Sequence, residues 1–211
     1  MKTKHYILQL IDEGEHEHQD FKYQISDAKK IARSISAFAN NSGGRLLVGV
    51  KDNGHIAGVK SDEEIYMIEQ AASMYCRPAQ QVNFELFKVE GKNVLLAEVA
   101  EAEVKPVQAP DENGHWKVFY RVADENVLAS SVHVKALKHK NNDEAGALLS
   151  FSDKERELLQ YLDDHGAITI SGFARLAHIS RFAAEDTIVK LLEMGVVKIS
   201  YHNGQCTITK G

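Results

Sequence analysis

Glu15, Asp20 and Asp52, joined by Lys22, are the residues of this 211-residue chain whose types suit hydrolytic chemistry. Clustered carboxylates hold hard divalent cations, and a lysine can stabilise charge that develops on a phosphorane, so the set suits metal-dependent phosphodiester cleavage with Mg²⁺ or Mn²⁺. The plainer account is that the same acids are exposed strand-edge and turn residues, Asp52 being the aspartate of an Asp-Asn-Gly turn. His16 and His18 alternate about Glu17, so one strand face could offer two imidazoles to a metal. No third ligand follows at a persuasive spacing, and solvated histidines in an acidic loop explain them as well.

A second set has the chemistry of phosphate and base contact. Arg45 follows Ser42-Gly43-Gly44, a backbone that could approach a phosphate or could only turn a helix into a strand. Lys105, Lys117 and Arg121 accompany Trp116, Phe119 and Tyr120, a mixture suited to phosphate contact plus stacking, although period-2 alternation divides them between two faces. Near the C-terminus Ser180, Arg181, Lys190, Lys198, His202, Asn203 and Lys210 could touch DNA, while Glu185 and Asp186 would repel its phosphates. Neither nucleotide fingerprint occurs: no G-x-G-x-x-G follows a strand, and no lysine with serine or threonine closes a G-x-x-x-x-G.

The elements that must position these residues are legible from period and punctuation. Residues 5–12 read as a short helix ended by Gly14, and Gln19–Tyr23 as a strand with Asp20 and Lys22 on one face and Phe21 and Tyr23 turned to the core. Ala28, Ile31, Ala32, Ile35 and Phe38 form a helical stripe. Arg45–Val50 is an apolar run of the buried-strand kind, and Asp52-Asn53-Gly54 predicts a hairpin returning through Ile56–Val59. Ser61 with Glu64 has the form of a capping box. Two strands, Val82–Val89 and Asn93–Val99, then make a meander, Trp116–Val122 is a further strand, and Val127–Leu137 reads as a closing helix.

A polar stretch over 141–150 is the linker between domains at 1–140 and 151–211. The second domain runs helix, helix, helix and hairpin, with a short strand at Ile168–Ile170, the order of a winged helix-turn-helix. The fold class is therefore α+β: an N-terminal mixed β-sheet domain with covering helices, plus a small C-terminal winged helix-turn-helix.

With 44% hydrophobic and 26% charged residues the chain has ordinary globular composition. A net charge of −5 argues against indiscriminate coating of nucleic acid but leaves room for a local basic patch. No apolar run approaches the ~18 residues of a membrane span, and no signal-peptide core follows Met1, so a cytoplasmic protein with no membrane partner is expected. Cys76 and Cys206 are far apart and read as ordinary thiols.

The segments Gly14-Glu15-His16-Glu17-His18-Gln19-Asp20-Phe21-Lys22 and Ile35 to Gly54, continued by Lys105-Pro106-Val107 and Phe119-Tyr120-Arg121-Val122, resemble the Schlafen-type AlbA-like domain, over roughly residues 10–137. The resemblance implies a nucleic-acid-binding domain of bacterial transcriptional regulators, DNA more than RNA, with no cofactor required and a homodimer compatible with it. It also implies an alternative, since some members are metal-dependent nucleases whose acidic positions correspond here to Glu15, Asp20 and Asp52, with Mg²⁺ or Mn²⁺ as cofactor. Asp20 stands where glutamate is more usual, one methylene shorter. An older description of the family as a divergent ATPase implies ATP binding, for which this chain lacks a phosphate-loop lysine.

Overall fold

The computed structural model describes residues 4–139, 152–202 and 204–211. Helix α1 (Lys4–Glu13) ends at Gly14, and strand β1 (Gln19–Lys22) follows. Phe21 packs into an apolar cluster with Ile7 and Leu10 of α1, so alternation turns Asp20 to the opposite face. Helix α2 (Ala28–Asn40) starts at Asp27, whose carboxylate accepts the N–H groups of Lys29 and Lys30. Its stripe of Ile31, Ala32, Ile35 and Phe38 is buried, as the spacing requires.

The turn out of α2 demands glycine for steric reasons. Gly43 has a φ of +80°, and a Cβ there would stand 2.8 Å from the Val99 carbonyl oxygen, while a Cβ on Gly44 would enter the Phe38 ring at 2.2 Å. Strand β2 (Gly44–Val48) then runs parallel to β1, with Asp20 beside Leu46. The hairpin expected after it does not form. The Asp52-Asn53-Gly54 turn closes, Lys51 N–H to His55 carbonyl at 3.0 Å, but only one bridge, Val50 to Ile56, follows. Gly49, at φ +89°, ends the strand, and its carbonyl accepts the N–H groups of both Ala57 and Gly58, which curls the returning segment onto that glycine.

Helix α3 (Glu63–Met74) also departs from the expected capping box. Asp62 is its N-cap, without a side-chain cap bond, and Glu64 is buried, its carboxyl raised by that burial against the nearby backbone of Ile25 and Lys60. Strands β3 (Val82–Val89) and β4 (Lys92–Val99) form the meander, and β4 pairs antiparallel with β2. The resulting mixed sheet has the order β1-β2-β4-β3. Helices α2 and α3 cover one face and α1 the other. A second, antiparallel sheet of β5 (Gln108–Pro110), β6 (Trp116–Val122) and β7 (Glu125–Leu128) joins the α2 core through Ala109 and Phe119. Because Glu125–Leu128 pairs with β6, the helix expected from Val127 begins only at Ser131 as α4 (Ser131–His139).

The chain divides into two compact units, Met1–Ala129 and Ser130–Gly211. Helix α4 belongs to the second through Val132, and the stretch 141–150, read as linker, lies outside the described residues. After α4 the second unit runs α5 (Asp153–His165), β8 (Ala167–Ile168), α6 (Ile170–Leu176), α7 (Arg181–Glu193), β9 (Val197–His202) and β10 (Gln205–Lys210). Ser152 and Glu155 make a reciprocal capping box on α5, and Thr169 and Ser180 cap α6 and α7. Leu158, Phe173, Ile188 and Ile208 meet in its core. The class is α+β, and among the described residues no helix is long and apolar enough to cross a membrane.

Candidate nucleic-acid interface and acidic pair

Glu15 and Asp20 come together at the start of β1. Asp20 is 3% exposed. Its Oδ1 accepts from Lys22 Nζ at 2.7 Å and lies 3.6 Å from the Arg121 guanidinium, and its Oδ2 accepts from Ser34 Oγ at 3.4 Å. Glu15 Oε1 accepts the Phe21 N–H at 2.8 Å, and the Glu15 carboxyl also hydrogen-bonds to Asp20. Burial, and then the Asp20 carboxylate beside it, push Glu15 up to about 7, against the Phe21 N–H and Lys22. Burial would also raise Asp20, but the hydrogen bond from Glu15 with Lys22 and Arg121 outweighs it and holds Asp20 below the usual range. The pair therefore shares one proton near neutral pH, resident on Glu15, a state suited to general acid or base work.

Asp52 does not complete a metal site with them. It is exposed in the turn after β2, and among the described residues no three His, Cys, Asp or Glu side chains are placed to hold a metal ion. The Asp20 oxygens are already occupied by Lys22, Ser34 and Arg121. These residues do not fit the Mg²⁺ or Mn²⁺ set expected of Glu15, Asp20 and Asp52. The two histidines diverge as well: the His18 Nδ1–H donates to the Gly43 carbonyl at 3.0 Å, whereas His16 Nδ1 accepts the His18 N–H and its Nε2 faces Glu13 at 3.8 Å.

Two cations expected to meet phosphate are internal fasteners instead. Arg121, 2% exposed, donates to the carbonyls of His16 and Gln19 and to Asn126 Oδ1 at 3.1–3.4 Å. Lys105, 8% exposed, donates to the Asn40 and Asn41 carbonyls at 3.0 and 2.9 Å and to Glu101, capping the C-terminal end of α2. Arg45 remains half-exposed but bridges Gln19 and Glu13, at 2.7 Å to each. With Gly43, Gly44, His18 and Glu98 it lines a groove of about 320 Å³. The Gly43 N–H is spent on the Phe38 carbonyl at 3.0 Å, so at that glycine the turn has claimed the donor proposed for phosphate. Lys117 is exposed on β6.

In the second unit Ser180 Oγ accepts the Ala183 N–H at 3.2 Å, and Lys190 donates to the buried Glu155 at 2.8 Å; both serve the fold. Arg181 is exposed at the first turn of α7, held by Glu185 Oε1 at 3.2 Å and Ser171 Oγ at 3.1 Å. The acids that the sequence left bare have partners on α4: Glu185 accepts from Ser131 Oγ at 2.6 Å, and Asp186 pairs with Lys135. Lys198 is exposed on β9, and Asn203 lies outside the described residues.

One cluster was missed. Tyr23, expected in the core, is 41% exposed just beyond the end of β1. Lys51 and Lys60 each approach its ring at 5.4 Å, and Lys60 Nζ also donates to Gln24 Oε1 at 3.3 Å. Parallel pairing of β1 and β2 brings the ends of the two strands together, and Tyr23 and Lys51 lie just past those ends, a neighbourhood that no local pattern in the sequence marks.

The family described as Schlafen, AlbA_2 matches residues 15–130. No curated protein matches the chain. Among solved structures, a Corynebacterium diphtheriae protein is 22% identical with a TM-score of 0.43 over 70% of this chain, which spans 30% of its length. The N-terminal domain of an ATP-dependent DNA helicase RecG-related protein from Nitrosomonas europaea is 21% identical with a TM-score of 0.43, over 72% of this chain and 98% of that domain.

Proposed function

The chain belongs to the Schlafen AlbA_2 family, and from that premise we propose that it is a nucleic-acid-binding protein, a bacterial transcriptional regulator that prefers DNA to RNA. The observation that carries this reading is the family match across 15–130, the segment that holds β1, α2, β2 and the second sheet. Support for DNA comes from the second unit, read as a winged helix-turn-helix. Helices α5, α6 and α7 are followed by the β9–β10 hairpin, and α7 begins with the exposed Arg181, the end of a recognition helix that enters a groove. The test is titration of the full chain with labelled duplex DNA, single-stranded DNA and RNA, with and without Mn²⁺, scored for shift and for cleavage. Salt-dependent binding without cleavage is the expected result, and absence of binding to all three at low salt overturns the reading.

A nuclease is the second reading, favoured by Glu15 and Asp20 lying side by side next to Lys22, which donates to Asp20 at 2.7 Å. Asp52 stands outside that pair, so the chemistry within reach is proton transfer by Glu15 next to a lysine. Cleavage of labelled nucleic acid that disappears in Glu15→Gln would establish the enzyme, and no cleavage by the wild type removes it.

A further inference from the structure

The Tyr23 ring is exposed although two cations, Lys51 and Lys60, stand over it. Elsewhere in the same unit the Arg77 guanidinium carbon sits over Trp116 at 3.7 Å from the ring centroid. At Tyr23 both ammonium groups stand farther off, 5.4 Å from the ring centroid, and 41% of the residue faces solvent. The buried Glu64 carboxyl of α3 lies near the backbone at Ile25 and Lys60, beside the segment after Tyr23 and the base of one lysine. Lys51 and Lys60 therefore flank an aromatic face held in place by α3 and by the β1–β2 pairing.

An exposed aromatic ring with two exposed lysines held loosely over it matches the chemistry of one unpaired base with phosphates beside it. Stacked duplex bases do not offer such a face. We infer that Tyr23 is a stacking platform for a base of single-stranded nucleic acid, with Lys51 and Lys60 binding the flanking phosphates. The inference deepens the nucleic-acid reading and rests on it, by assigning single strands to the first unit at a site distinct from the acidic pair. Lys22, next in sequence, is excluded from the phosphate set because it is spent on Asp20.

The experiment measures anisotropy of the full chain with oligo-dT and oligo-U of about twelve nucleotides, with an abasic strand of equal length, and with a blunt duplex. Tyr23→Ala is expected to weaken both base-bearing strands by roughly tenfold, to leave the abasic strand and the duplex unchanged, and to be rescued by Tyr23→Phe. Lys51→Ala and Lys60→Ala should each lower the slope of log affinity against log salt by about 0.7 on all single strands. Unchanged thermal melting of each variant separates lost contact from lost fold. If the wild type binds duplex but Tyr23→Ala binds every single strand as wild type does, the platform is overturned and the nucleic-acid reading survives. If no oligonucleotide binds the wild type, both fall.

Discussion

On β1 and just past its end the chain treats charge in two opposite ways, three residues apart. At Asp20 the chain buries an acid and surrounds it with Lys22, Ser34 and Arg121; at Tyr23 it leaves two lysines in solvent around an aromatic ring. Both regions would be written as basic residues near aromatics in a sequence. Burial separates them, because a desolvated guanidinium must have all its partners inside the protein, whereas an exposed ammonium keeps water and can exchange it for phosphate. The first region holds the fold together and the second is free to bind.

The sharpest way to break that comparison is Arg121→Ala, which leaves Asp20 with one cation fewer and takes the guanidinium donors from the His16 and Gln19 carbonyls, which keep only each other's N–H groups. A loss of about 3–5 kcal/mol in urea unfolding, followed by Trp116 fluorescence, is expected. Pairing it with Asp20→Asn should recover part of the loss, and a cost below about 1 kcal/mol for Arg121→Ala alone would show that the buried site is not what it looks like. Lys105→Met comes next, at about 1–3 kcal/mol, since the Asn40 and Asn41 carbonyls lose their donor at a buried helix end.

Glu15→Gln is smaller and depends on pH. In the folded chain Glu15 keeps its proton to about 7, against an ordinary value of 4.5. Between those values the folded state binds the extra proton, so wild-type stability falls as pH rises through the window. Glutamine reproduces the protonated form, accepting from Phe21 and donating to Asp20 with no proton to lose. Its melting temperature should match wild type at pH 5 and exceed it by a few degrees at pH 8; equal melting at both values removes the shared proton. Asp20 adds the opposite slope at lower pH: its depressed value contributes stability above its ordinary 3.8 that is lost on further acidification. Smallest of all is Lys60→Ala, within about 0.5 kcal/mol of wild type, as suits an exposed side chain.

How much of this was legible follows range in sequence. Helix α2 and the β3–β4 meander came from local period and punctuation, and both stand as read. The β1–β2 parallel pair did not, because its partners are joined through a helix and no local pattern marks it. Asp52-Asn53-Gly54 did make its turn, but Gly49 decided whether a strand would follow it. Lys105 and Arg121 looked like phosphate contacts since residue type and neighbours suit that role; their carbonyl partners lie as far away as residues 40 and 16. Glu64 likewise imitated a helix cap, but it is a buried side chain of α3.

The bond from the Phe21 amide to Glu15 Oε1 has a spectroscopic consequence. A backbone N–H that donates to a carboxyl group is polarised more strongly once that group ionises. In an isotope-labelled sample the Phe21 amide resonance should therefore move downfield with a midpoint near Glu15's value of about 7. One peak in a two-dimensional spectrum thus reads the protonation of the acidic pair directly, and in Glu15→Gln the same peak should stand still.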